Sequence, residues 1–184
     1  MQFTGLENVQ QIDQYILKKE ISRGGMGVVY LAEDIQLHRP TALKVILKQS
    51  ENDSTISIKR FHREMEVMGK LSHPYVIQIY TAGMFQNNPY IAMEYVDGVP
   101  LLEYAQQLPE NDFISIATLM QKILQAFSYI HSKQLVHRDV KSTNILVRPN
   151  GDPVILDFGL AKAKDIKTLT ATGTIIGSLN MAPE

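Results

Sequence analysis

Short apolar stretches broken by turn residues make up the first half of this chain. Positions 15–21 alternate loosely, a glycine cluster interrupts, and Val28-Val29-Tyr30-Leu31-Ala32 resumes, which predicts two strands joined as a hairpin. A third strand is expected over 41–47, between His38-Arg39-Pro40 and a polar run at 48–54. The apolar spacing over 56–71 is helical and closes at Ser72-His73-Pro74. Two more strands follow at 76–82 and 89–96, separated by Asn87-Asn88. After a boundary at Asp97-Gly98-Val99-Pro100 the period changes. Ile116, Leu119, Ile123, Phe127 and Ile130 recur at spacings of three and four, predicting a long helix over 112–133. Short strands at 145–148 and 154–156 flank a turn at Pro149-Asn150-Gly151-Asp152, and from Asp157 onward the pattern is loop-like. The reading is α+β: a strand-rich half, then a helix-led half.

Composition narrows the class. A chain of 184 residues, 45% hydrophobic and 20% charged, suits one globular domain or two small lobes. A net charge of −1 marks it neither for nucleic acid nor for an anionic membrane surface. The absence of cysteine excludes a disulfide framework and thiolate chemistry, and agrees with a reducing compartment. The N-terminus is polar and lacks a signal-peptide pattern, and no apolar run is read as long enough to cross a bilayer. A cytoplasmic protein is expected, with no nucleic-acid partner and no membrane segment.

Three places carry candidate chemistry. Ile21-Ser22-Arg23-Gly24-Gly25-Met26-Gly27-Val28-Val29 is either a tight hairpin and nothing more or a phosphate-covering loop. No helix and no Lys-Ser/Thr follows the glycines, which excludes a dinucleotide fingerprint and a Walker loop. A glycine hairpin laid over a nucleotide remains, where a Cβ would hold the backbone away from phosphates. Lys44 shares a strand face with Ala42 and Ile46, and Glu64 falls on the apolar stripe of Phe61, Met65 and Met68. Unpaired, each charge is costly in such a place, so mutual pairing is the economical solution. Finally, His137-Arg138-Asp139-Val140-Lys141-Ser142-Thr143-Asn144 lies between apolar flanks, and Asp157-Phe158-Gly159 follows another apolar strand. An ordinary surface ion pair is the bland reading of Asp139 and Lys141. The chemical reading makes Asn144 and Asp157 hard oxygen ligands for Mg²⁺, Asp139 a proton acceptor, and Lys141 a stabiliser of a transferring phosphoryl group.

With these motifs in order, the chain resembles the eukaryotic-type protein kinases, and particularly their bacterial serine/threonine branch. The resemblance runs over roughly 15–184 through the glycine loop, Ala42-Leu43-Lys44, Glu64, His137-Arg138-Asp139, Asp157-Phe158-Gly159 and Ala182-Pro183-Glu184. It implies a bilobal fold: an N-terminal extension at 1–12, an N-lobe at 13–96 with a five-stranded antiparallel sheet plus one helix, a hinge at 97–100, and an incomplete, mainly helical C-lobe at 101–184. It implies Mg²⁺ and ATP, with catalytic roles for Asp139, Lys141, Asn144, Lys44 and Glu64, and a protein Ser/Thr hydroxyl as acceptor. Residues 21–27 and Val29 would cover the nucleotide. Ile21, Val29 and Ala42 would roof the adenine and Leu146 floor it, with Met93 as gatekeeper and the backbone of Glu94 and Val96 on the adenine edge. Arg138 beside Asp139 implies control by phosphorylation, with Thr170 and Thr172 at the positions where relatives carry the phosphate.

The chain departs from the family pattern in places. Ser22 replaces the usual first loop glycine, Ser142 replaces a proline, and 177–184 is one residue short and lacks an aromatic. The resemblance implies further helices after Glu184, so the chain reads as truncated there, with weak Mg-ATP binding and little phosphate transfer on its own. Excess apolar surface is then expected on the long helix at Met120, Leu124 and Phe127, inviting a partner. Two functions follow: a serine/threonine kinase core, or a non-catalytic remnant that binds nucleotide or a partner. Turnover that depends on Asp139 separates them.

Overall fold

Alternation along the hairpin becomes a layered sheet in the computed structural model, which describes residues 9–24, 27–47, 65–86 and 88–156. Six antiparallel strands, β1 (Gln11–Ile12), β2 (Tyr15–Gly24), β3 (Gly27–Asp34), β4 (Arg39–Ile46), β5 (Ile79–Phe85) and β6 (Asn88–Glu94), lie in the order β1-β2-β3-β4-β6-β5. β2 to β6 are the five expected strands. The short edge strand β1 is additional: Asp13, at φ 47, turns Gln11-Ile12 back onto Tyr15-Ile16 and buries Ile12 completely. The expected helix is described only over 65–68, where Met65 and Met68 are buried.

One face of this sheet carries the core. Val28, Tyr30 and Ala32 of β3 meet Leu43 and Val45 of β4, Tyr90 and Ala92 of β6, and Ile12 and Tyr15. Removing a side chain such as Leu43 from water contributes about 1.5–3 kcal/mol. Tyr90 lies across its strand partner Gly83, where an added Cβ would stand 2.6 Å from the ring. Its hydroxyl donates to the Asp13 carboxylate, tying the β1–β2 turn to β6. Burial first, and then Asp13, raise the phenol well above its ordinary value of 10.0. The stability Tyr90 contributes is therefore complete below pH 10 and lost as pH rises through the higher folded value. Tyr90→Phe is expected to cost about 1–2 kcal/mol and to remove that alkaline loss, as read by urea melts between neutral pH and pH 11.

The described residues divide into two compact units, one running to Leu71 with Gln78–Tyr95, the other Ser72–Ile77 with everything from Val96. The stretch 76–82 was expected as a single strand, but the strand begins at Ile79. Val76 instead bridges Ile155 in parallel, the Ile77 N–H donates to the Ile155 carbonyl at 3.0 Å, and the Ser72 N–H donates to the Tyr129 hydroxyl at 2.9 Å. Those bonds fix 72–77 within the second unit.

That unit contains β7 (Val99–Pro100), α1 (Leu101–Gln107), α2 (Phe113–Ser132), a 3₁₀ turn (Ser142–Asn144), β8 (Ile145–Val147) and β9 (Pro153–Ile155), with β7-β8-β9 forming a second small sheet. Asp112 caps α2 by accepting the Ser115 N–H at 3.1 Å, and Leu119, Ile123, Ala126 and Ile130 form its buried stripe. The helix ends as Gln134 enters the left-handed region at φ 59 and the Leu135 N–H reaches back to the Ile130 carbonyl. At 20 residues α2 is long and apolar enough, by length and composition, to cross a membrane, which corrects the expectation that no such run exists. Here its buried stripe packs with β9, and Lys122 near its middle pairs with Asp152 at 2.7 Å. Met120 and Leu124 are exposed, as expected, and so are Ile114 and Ile116; Phe127 is only partly so.

Candidate active site

In the first unit, sheet register decides which predicted residues meet. Direct partners across antiparallel strands share a face. Ser22 faces Val29, Val29 faces Lys44, and Lys44 faces Ile91. One pair along, Leu31 faces Ala42 and Ala42 faces Met93. The face opposite the core thus collects Ser22, Val29, Ala42, Lys44 and Met93 from four strands. The described part of the hairpin ends at the pair Gly24–Gly27. Gly27 is required there, since it sits at φ 151 and an added Cβ would come within 2.1 Å of the Val45 carbonyl oxygen. Arg23 behaves differently from Ser22: it pairs with Val28 and so points to the core side, where it joins Glu20. The Glu94 N–H donates to the Gln78 carbonyl at 2.9 Å, so any adenine contact by the Glu94 main chain falls to its own carbonyl. Val96 is buried, and Leu146 is half-buried in β8 opposite Val154.

The second unit gathers Asp139, Lys141 and Asn144. The Asn144 Nδ2 donates to the Asp139 main-chain oxygen at 2.8 Å and to its carboxylate at 2.9 Å. Lys141 Nζ stands 3.1 Å from the same carboxylate oxygen. The 3₁₀ turn brings this about, because the Asn144 N–H bonds back to the Lys141 carbonyl at 3.0 Å and swings the carboxamide under Asp139.

His137 holds the arrangement, and sequence reasoning gave it no role. It is 2% exposed, with Phe127 edge-on at 5.9 Å. Its Nε2 lies 2.6 Å from the Leu156 carbonyl and its Nδ1 3.3 Å from the Asp139 N–H. A carbonyl only accepts and an amide N–H only donates, so the ring carries its proton on Nε2. The Leu156 N–H in turn donates to the Asn144 carbonyl at 2.8 Å. Leu156 is gripped from both sides, and Asp157 is the next residue. The readable signal was the two-residue step from His137 to Asp139 inside an apolar frame. Between them Arg138 is exposed at φ 63, a left-handed backbone that a non-glycine residue adopts at a cost of about 1–3 kcal/mol. Glu64, Gly25, Met26, Asp157, Thr170, Thr172 and the Ala182-Pro183-Glu184 motif lie outside the described residues.

The sequence matches the protein kinase domain family over residues 15–184. The chain belongs to that family. Among curated relatives, this kinase chain is 43% identical over 177 residues to the probable serine/threonine-protein kinase PknB of Lactococcus lactis, covering 94% of this chain and 28% of that protein. It is 38% identical over 172 residues to the serine/threonine-protein kinase PrkC of Bacillus subtilis, covering 93% and 26%. It therefore spans little more than a quarter of the length of these relatives. Among solved structures, the kinase domain of Mycobacterium tuberculosis PknI superposes with a TM-score of 0.68 at 28% identity, over 82% of this chain and 62% of that one. The bilobal kinase fold class read from the sequence agrees with these likenesses. In this kinase chain the Asp139–Lys141–Asn144 cluster belongs to the motif that carries the family resemblance.

Proposed function

We propose that the chain is the catalytic core of an ATP-dependent serine/threonine protein kinase. The observation that carries this reading is the carboxylate of Asp139 held between Asn144 and Lys141. Asp139 accepts the proton of a protein Ser or Thr hydroxyl as that oxygen attacks the γ-phosphorus of ATP, and the bond from phosphorus to the leaving ADP oxygen breaks. Lys141 offers its ammonium to the phosphoryl oxygens, and Lys44 offers its own to the remaining phosphates. Arg138, exposed next to Asp139, would receive a phosphate placed on Thr170 or Thr172.

Mg²⁺ fits the donor set. The Asn144 carboxamide directs its Nδ2 at Asp139 and has in Oδ1 a hard oxygen of the kind a cation takes, and Asp157, a second hard ligand, follows Leu156 in sequence. Bound there, Mg²⁺ neutralises phosphate charge; Asn144 and Asp157 would hold it.

The exposed apolar side chains on α2 favour the second reading, a non-catalytic module that binds nucleotide or a partner. Radiolabelled ATP with a generic basic protein as acceptor separates the two. Label on Ser or Thr that requires Mg²⁺ and Asp139 supports the kinase. Nucleotide binding without any transfer leaves the module.

A further inference from the structure

The approach strand to the glycines contains two irregularities. Register with β3 shifts between Leu17 and Lys19 and again between Glu20 and Ser22, so Lys18 and Ile21 are each an extra residue on β2. The second bulge decides the glycine hairpin. In a regular strand, residues three apart face opposite ways. With Ile21 inserted, Glu20 pairs with Tyr30 and Arg23 with Val28, both on the core side, while Ser22 pairs with Val29 on the Lys44 side.

A bidentate ion pair spans that bulge. Arg23 Nε donates to Glu20 Oε1 at 3.0 Å and its terminal nitrogen to Oε2 at 2.7 Å, a fork-to-fork geometry that fixes orientation as well as distance. The hydroxyl of Tyr30, itself nearly buried, adjoins the guanidinium. A one-residue slip of β2 would turn Arg23 toward Lys44, carry Ser22 to the other side, and destroy the pair.

We propose that Glu20 and Arg23, with Tyr30, form a positioning clasp on the back of the sheet that locks the bulge at Ile21 and so sets how tightly the glycine hairpin holds a nucleoside triphosphate. The clasp rests on the nucleotide-binding reading above, but none of its three side chains touches the nucleotide face. Its effect is on affinity, through the register of the backbone that covers the phosphates.

The test is the dissociation constant of a fluorescent ATP analogue with Mg²⁺, measured on the whole chain. Glu20→Gln and Arg23→Gln are each expected to weaken binding about fivefold, the upper range for an exposed pair. The double variant Glu20→Arg with Arg23→Glu is expected to recover most of the loss. Lys70→Gln, which breaks the exposed Lys70–Glu66 pair elsewhere in the unit, is expected to change nothing. Hydrogen exchange in the parent and Glu20→Gln supplies a second readout, with amides flanking Ile21 expected to exchange faster in the variant. If Glu20→Gln does not fold, Tyr30→Phe takes its place, with about a threefold loss of affinity expected, the lower range for a single hydrogen bond. Single variants that bind as tightly as the parent overturn the clasp, as does a swapped double no better than the singles. A parent chain that binds no Mg-nucleotide overturns the functional reading, and the clasp falls with it.

Discussion

Asp139→Asn is expected to lower phosphate transfer by about 10²–10⁴-fold while leaving the affinity for Mg-ATP within about twofold of the parent. The substitution keeps the shape of the side chain and its place beside Asn144 and Lys141, but removes the ability to take a proton. The transfer rate is the informative half, and the unchanged affinity shows that the site still binds nucleotide. Were Asp139 chiefly a structural ion pair with Lys141, losing its charge would leave the transfer rate almost unchanged. Steady-state rates against ATP concentration, together with equilibrium binding, decide between the two.

His137→Leu is expected to have the second largest effect. It strips the Leu156 carbonyl and the Asp139 N–H of partners within a site where the imidazole is 2% exposed. Two polar groups left unpaired in such a place cost about 2–4 kcal/mol together. Since Leu156 also bonds to Asn144, the loss spreads to the loop bearing Asp139, and a fall of about 10–100-fold in kcat is expected, as for other misplaced catalytic groups. His137→Asn restores one polar partner and is expected to recover part of both. Denaturant melts give the stability, and kcat with an unchanged KM for ATP gives the positioning effect. A variant destabilised as expected but unimpaired in kcat would reduce His137 to a packing residue.

Much of this was legible in the residues. The apolar run after the glycines and the spacings of three and four in α2 place β3 and α2 within two residues of their expected bounds. That Ala42 and Lys44 share a strand face could be read from alternation alone, which puts them opposite Leu43 and Val45. What stayed hidden depends on partners distant in sequence. The bulge at Ile21 leaves no mark in the loosely alternating stretch 15–21, yet it sends Arg23 to the back of the sheet. Val76-Ile77 resembles the start of a strand because it is apolar; only Ile155, far along the chain, draws it into the other unit. His137 could be seen, but its task could not, since its main acceptor is a main-chain carbonyl nineteen residues away. The edge strand β1 was missed because two residues carry no period.

An experimentally determined structure of the chain with Mg²⁺ and a non-hydrolysable ATP analogue tests the central claim most directly. The account requires the Lys44 ammonium against phosphate oxygens, Mg²⁺ on Asn144 Oδ1, and the Asp139 carboxylate turned toward the γ-phosphate. A nucleotide seated with its phosphates away from both Lys44 and Asn144 would contradict it.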